Sequence, residues 1–297
     1  MITLDFIVNA LSLGSTYALL ALGMVIVYGI LNLVNFAFGE LLMITGYSLF
    51  VLSLGPRLPW VVMAVLSVGV AVLISYLTER VAFRPVREHS PTAMLITSFA
   101  VSTLLQNAAL LLISPRAKGV PLPRLFSMSA RVLGQDLPIR NLLAIATSLL
   151  LLGLLVLLLR RTVLGIALRA ASDNFRMARL LGVPANLVIS AAFAISGLLA
   201  GVVALFWVGR TASVTPTIGA APLLVAFVAT VIGGMRSLAG AVVGGYIYGI
   251  VFSMIGILLP PGMMEFREAF MFIVVILILL FRPEGLIRGA YSTKRVG

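Results

Sequence analysis

From Phe6 to Ile30 the chain runs for 25 residues without one charged side chain, and comparable uncharged runs recur along its length. A helix rising 1.5 Å per residue crosses the roughly 30 Å hydrocarbon core of a bilayer in about 20 residues. Such runs leave few architectures open. In hydrocarbon every backbone polar group needs an internal partner, so only helices and closed barrels span. Barrel strands alternate polar and apolar residues, whereas these runs are apolar all round. The fold class read from the sequence is therefore all-α, a polytopic transmembrane helical bundle with about 8–9 spans.

Composition agrees. Of 297 residues, 61% are hydrophobic and 10% charged, with a mean hydropathy of +1.18; an ordinary soluble domain carries about 25% charged residues. The net charge of +12 comes from basic residues in short segments between apolar runs, a membrane-topology pattern rather than a nucleic-acid surface. The absence of cysteine excludes disulfides and thiolate metal sites, and a lone His89 makes no zinc constellation. No metal and no cofactor is expected on this chain. Met1 to Asn9 contains no Lys or Arg, so a removable signal peptide is not expected and the first apolar segment is read as a span.

Apolar runs separated by charged or Pro/Gly breaks give nine segments, at roughly 6–30, 36–54, 60–82, 91–113, 140–160, 187–208, 221–235, 240–259 and 268–281. Gly39, Glu40 and Gly46 interrupt the second and the seventh is short, so eight spans with a re-entrant piece is the alternative arrangement. Nine spans with a cytoplasmic C-terminus place inside Arg80, Arg84, Arg87, Arg160, Arg161, Arg169, Arg176, Arg179, Arg236, Arg282, Arg288, Lys294 and Arg295, which is 13 of the 21 basic residues. The loop holding Arg116, Lys118, Arg124, Arg131 and Arg140 then lies outside. The stretches 114–139 and 161–186 are too short to bury cores of their own, so residues 1–297 read as a single domain. No tandem repeat is visible.

The segment 161–186 is polar and basic yet helical in pattern. Leu164, Leu168, Ala171, Phe175 and Ala178 follow at spacings of four, three, four and three, which aligns them on one face. Ser172 or Asp173 is placed to cap the last two turns, Gly182 to stop the helix, and Pro184 to open the next. A solvated helix on the lipid headgroups and a docking element for another protein are both consistent with this pattern.

In the fourth segment Ser98, Ser102 and Gln106 recur every four residues, with Thr103 and Asn107 beside them. That polar stripe either hydrogen-bonds a neighbouring helix or lines a translocation path. The first segment carries Ser12, Gly14, Ser15, Thr16 and Tyr17. It runs into the stretch from Tyr28 to Glu40, where Asn32, Asn35 and Glu40 break the apolar pattern. An acid at membrane depth is a functional candidate, and equally a helix N-terminal cap at the interface. Gly197 with Gly201, Gly240 with Gly244, and Gly245 with Gly249 have the spacing that lets helix backbones approach. There is no phosphate loop of the GxxxxGK[ST] type, no HExxH and no GxSxG. The chain is therefore not expected to hydrolyse ATP, any driving energy must come from elsewhere, and an embedded enzyme lacks any assembled nucleophile.

The stretch LGIALRAASDNFRMARLLGVPANLVISAAFAISGLLAG, with YGILNLVNFAFGELLM and LLFRPEGL, resembles the permease subunits of branched-chain amino-acid ABC importers, in particular the shorter, LivH-type member of the permease pair. The resemblance covers essentially the whole chain. Phe38 departs from it, standing where the family often has His in an NFAHGE signature. The resemblance implies a complex with a second permease, two cytoplasmic ATP-binding subunits that carry the hydrolysis, and an extracytoplasmic substrate-binding protein, set in the lipid of a bacterial-type inner membrane. It further implies that Ala171, Ser172, Asp173, Asn174, Phe175, Arg176, Ala178, Arg179, Leu180, Leu181 and Gly182 form the element that couples to the ATPase. Phe175 is expected as its anchor, with Arg176 and Arg179 facing acidic or polar groups. Leucine, isoleucine or valine is the expected cargo. Urea or short amides within the same family, and a self-sufficient secondary transporter or channel outside it, are the alternatives.

Overall fold

The computed structural model describes residues 4–55, 58–87, 90–132, 135–282 and 285–287. His89 and the basic residues Arg288, Lys294 and Arg295 lie outside the described residues, as does the side chain of Arg176. The helices are α1 (Leu4–Leu31), α2 (Glu40–Leu54), α3 (Trp60–Thr78), α4 (Pro91–Leu112), α5 (Ile139–Arg161), α6 (Val163–Leu180), α7 (Ala185–Thr211), α8 (Ala220–Gly233), α9 (Leu238–Leu258) and α10 (Arg267–Phe281). A π-helical turn, Glu79–Phe83, continues α3. Two small antiparallel ribbons lie at one end of the bundle. In them β1 (Lys118–Gly119) pairs with β4 (Ser213–Val214), and β2 (Ser129–Val132) with β3 (Gln135–Pro138). We call this the ribbon end; α6 lies at the other.

Seven of these elements are long and apolar enough to cross a membrane: α1, the segment Phe36–Leu54, the segment Trp60–Val86, α4, α5, α7 and α9. Shorter α8 and α10 complete the nine apolar segments read from the sequence. Helix starts are set locally. Ser90, Thr162 and Ser237 each accept a hydrogen bond from the amide three residues on, satisfying donors that a first turn leaves open.

α1 is the axis of the molecule, with its residues from Ser12 to Val27 all buried. It can be enclosed because its neighbours bring small residues to it. A Cβ at Gly245 would overlap the backbone of Ala18, and one at Gly249 that of Gly14. Gly197 sits against Ser75 and Ala71 of α3, Gly201 against Ala71 and Val68, and Gly240 and Gly244 against Gly233 and Ala229 of α8. Backbones in direct contact gain dispersion energy where lipid offers no hydrophobic drive. The peripheral helices show the opposite surface: Val65, Ile96, Leu111, Leu150, Ile276 and Leu280 are exposed, as hydrocarbon-facing residues should be.

The two halves repeat one motif in opposite directions. α1 ends at Asn32 in the left-handed region (φ 51°), and α7 ends at Ala212 with nearly the same angle (φ 52°). Seven residues after each comes a glycine, Gly39 or Gly219, and then a short helix, α2 or α8. α1 and α7 run antiparallel, with Tyr17 beside Trp207 (6.4 Å between ring centroids) and Gly23 beside Ser196. The two connections fold back inward, for the ring of Phe38 rests on Gly23 in the middle of α1, and Gly39 and Gly219 meet backbone to backbone. α2 and α8 are thus broken helices whose N-termini oppose each other inside the bundle. Irregular backbone at such depth is tolerated because protein surrounds it. What repeats is backbone geometry carried by different side chains, so the sequence shows no repeat.

Replacing Gly249 by Val should cost at least about 1–3 kcal/mol, because the obstacle is backbone rather than a movable side chain. A clearly lower thermal midpoint of the detergent-purified chain is expected. Gly153→Ala, with nothing within 4 Å of the added carbon, should leave the midpoint in place; an unchanged midpoint for Gly249→Val contradicts the α1–α9 contact.

Candidate functional site

Glu40 opens α2 and is 1% exposed. Its Oε1 accepts hydrogen bonds from Ser102 Oγ at 2.9 Å and Gln106 Nε2 at 2.7 Å, both on α4. Two members of the polar stripe therefore serve a buried acid. Ser98 is buried and donates to the Leu95 carbonyl of its own helix, whereas Asn107 is exposed and donates to the Thr103 carbonyl, and Thr103 is exposed beside it. Glu40 Oε2 is buried without a hydrogen-bond partner among the described residues. Asn35 caps the turn Phe36–Phe38 by accepting from the Ala37 amide at 3.0 Å. Asn32 lies at the α6 end, where its Oδ1 accepts from Arg236 at 2.7 Å. The proposed path residues are thus not one constellation: Glu40, Ser102 and Gln106 form a cluster, while Asn32 and Asn35 shape the broken connection. Phe38, fully buried against Gly23, fills its place with an apolar ring.

The α6 segment is two helices rather than one. Asn174 breaks it (φ −152°, ψ 94°), and its Oδ1 accepts from the Met177 amide at 3.0 Å. The residue that caps the last turns is Asn174, not Ser172 or Asp173, both of which are exposed. An extended conformation is what an N-cap adopts, and the amide of Asn satisfies it well. At the far end Val183 N donates to Ala178 O and Gly182 N to Arg179 O, both at 3.1 Å, with Gly182 at φ 86°. This is the paired C-terminal cap that a left-handed glycine permits. Pro184 stands one position before α7 begins.

Leu168, Ala171 and Ala178 are buried and Leu164 and Phe175 half-buried, so the periodic face survives the break and packs inward. Ser172 lies against Gly29 of α1. The outward side chains include Arg179 and the apolar Met177, Leu180 and Leu181, the last two 76% and 79% exposed. Nearby, fully buried Glu79 pairs with Arg87 at 3.7 Å and accepts from Ser190 at 2.6 Å, while Arg87 also donates to Asn186. That cluster ties the α3–α4 connection to the first two turns of α7.

Two cavities border α1. One, of about 380 Å³, lies at the α6 end beside Arg169, Asp173 and Arg236. The other, of about 630 Å³, opens toward the ribbon end between α1, α7, α8, α9 and α10. Ala18 to Leu22 of α1, at most 2% exposed, separate them. The larger cavity has an aromatic wall in which Tyr17 meets Tyr248 edge to face at 5.2 Å and Tyr248 stacks on Phe252 at 5.9 Å. Arg210 donates to Ser12 Oγ at 3.2 Å, and Arg267 lies 3.7 Å over the Phe252 ring while its Nε donates to the Phe252 carbonyl at 2.9 Å. Counting loop charges passes over both arginines. Their signal in the sequence is placement inside the last turn of one apolar helix and at the first residue of another, where a cation is expensive.

A family model described as the permease component of the branched-chain amino acid transport system matches residues 6–280. The high-affinity branched-chain amino acid transport system permease protein BraD of Pseudomonas aeruginosa is 34% identical, over 96% of this chain and 95% of its own length. The permease protein LivH of Escherichia coli K12 is 33% identical over 94% and 93%. A probable branched-chain amino acid transport permease protein LivH of Methanocaldococcus jannaschii is 29% identical over 94% and 90%.

Removing one donor from a buried acid costs more than removing donor and acceptor together. Gln106→Leu should therefore destabilise the chain by about 1.5–3 kcal/mol, and the pair Glu40→Leu/Gln106→Leu should recover most of that loss. Thermal midpoints of the four purified forms measure it. Losses that simply add show that Glu40 and Gln106 are not coupled.

Proposed function

The chain belongs to the permease-component family of branched-chain amino acid transport systems, and we propose that it forms one half of the translocation unit of an ATP-driven importer of leucine, isoleucine, valine or closely related amino acids. The observation that carries this reading is the matched length: family and relatives align with nearly the entire chain, and the chain folds as a multi-pass helical bundle. ATP hydrolysis resides on two separate cytoplasmic subunits, the sister half is a second permease, and an extracytoplasmic binding protein delivers the cargo. The α6 end and the C-terminus face the cytoplasm of a bacterial-type inner membrane, and the ribbon end meets the binding protein.

Coupling runs through residues 171–182. The short helix after Asn174 offers an apolar tip of Met177, Leu180 and Leu181, which suits a groove on the ATPase. The inward face of α6, with Leu168, Ala171 and Phe175, rests on the bundle, and Ser172 touches α1. ATP-driven movement of the tip is thereby passed to the axis of the bundle, and the permease pair alternates between outward- and inward-open states. The Glu40 cluster holds α4 against the broken helix α2, so the polar stripe serves the path by keeping its wall in register. This chain needs no catalytic residue, metal or cofactor for that role.

Affinity purification of the tagged chain in mild detergent should recover ATP-binding subunits and a second permease; recovery of the chain alone counts against the assignment. Leu180→Glu should weaken ATPase association by about 2 kcal/mol, roughly 30-fold, without moving the thermal midpoint. Phe175→Glu should weaken association and also lower the midpoint, because that side chain is half-buried on the core. Normal association in both variants would remove residues 171–182 from the interface.

A further inference from the structure

We propose that the cavity of about 630 Å³ between α1, α7, α8, α9 and α10 seats a free α-amino acid, with Arg210 and Arg267 receiving its carboxylate, Glu268 its ammonium group and Leu13, Leu224 and Val225 its aliphatic side chain. This rests on the importer reading and specifies where in this chain the delivered solute is held.

The chemistry of the lining carries the assignment. A guanidinium has five N–H donors. Arg210 spends one nitrogen on Ser12, and Arg267 bonds only the Phe252 carbonyl. Neither forms an ion pair among the described residues, where the recorded pairs are Arg87 with Glu79 and Arg131 with Asp136. Both guanidinium groups are half-buried on the cavity wall, where a cation without a counter-ion is costly, and a ligand carboxylate supplies one in the bidentate geometry that Arg favours.

Tyr17 and Tyr248 point the same way. They are 4% and 3% exposed and line the cavity, yet neither hydroxyl has a hydrogen-bond partner among the described residues. Unlike the enclosed hydroxyl of Tyr47, these two are not sealed off from the cavity they line, so a polar ligand there can reach them. Glu268 follows Arg267 in the first turn of α10 and lines the same space. Acid, bases and apolar surface therefore converge as a zwitterion with an aliphatic side chain requires, and the volume falls in the roughly 300–1,000 Å³ range of small-ligand sites. Neutral solutes such as amides would leave both cations uncompensated.

The chain contains no cysteine, so Leu224→Cys gives it a single thiol on the cavity wall. The rate at which a maleimide modifies that thiol is measured on the complete complex in vesicles of neutral lipid. Millimolar leucine should slow modification, whereas isoamylamine, which is leucine without its carboxylate, should not. Adding Arg210→Gln or Arg267→Gln should weaken leucine protection by about 30-fold or more, as expected when one side of a desolvated charge pair is removed. Equal protection by leucine and isoamylamine overturns the seat on the arginine-intact background, without reliance on variants that fold poorly. Protection by anionic lipid in place of leucine also overturns it, assigning the arginines to headgroups. ATP-driven leucine uptake without leucine protection refutes the seat and leaves the importer reading standing. No leucine uptake by the intact complex refutes the importer reading itself.

Discussion

Gly245 and Gly249 of α9 lie backbone to backbone on Ala18 and Gly14 of α1, and the remaining architecture follows from that closeness. An apolar helix gains little by leaving lipid for other apolar helices unless it packs more tightly there. Small residues permit the approach, and with α9 on one side and α7, α8 and α5 around the rest, α1 becomes the enclosed axis. A protein-lined interior is also what allows two chain segments to break and return within the bundle, because their free amides and carbonyls meet protein rather than hydrocarbon.

Those breaks create the asymmetry that transport needs. At the first, Phe38, Phe83 and Phe193 are fully buried and fill the space between helices. Beside the second lies the open cavity lined by two arginines and two phenols. The ribbon end of α1 therefore borders the larger chamber, while its other end borders the smaller cavity of about 380 Å³ beneath α6. A helix whose tip is exposed and whose body rests on the axis is suited to transmit displacement from a partner. The Glu79–Arg87–Ser190 cluster fixes the connection that adjoins α6.

Much of this was legible in the residues. Uncharged length and composition fixed the class, and the 4-3-4-3 spacing from Leu164 to Ala178 identified the buried face of α6 even though Asn174 interrupts the helix. The glycine pairs marked real backbone contacts. The break itself was missed because an Asn within a helical pattern reads as a tolerated residue until its amide is seen capping the next turn. Partners distant in sequence were also invisible: Ser102 and Gln106 pointed to some polar neighbour, but only the fold brings Glu40, more than 60 residues earlier, beneath them. The inverted repeat escaped for the same reason, since Asn32 and Ala212 share a backbone conformation and no side-chain chemistry. Arg210 and Arg267 escaped because a count of loop charges passes over basic residues that lie within apolar helices.

Uptake of radiolabelled leucine by proteoliposomes, with the chain reconstituted alone or together with its sister permease, ATPases and loaded binding protein, tests the central claim most directly. Accumulation is expected only in the complete assembly and only with ATP. Accumulation by this chain alone, without ATP, would contradict it and make the bundle a self-sufficient transporter.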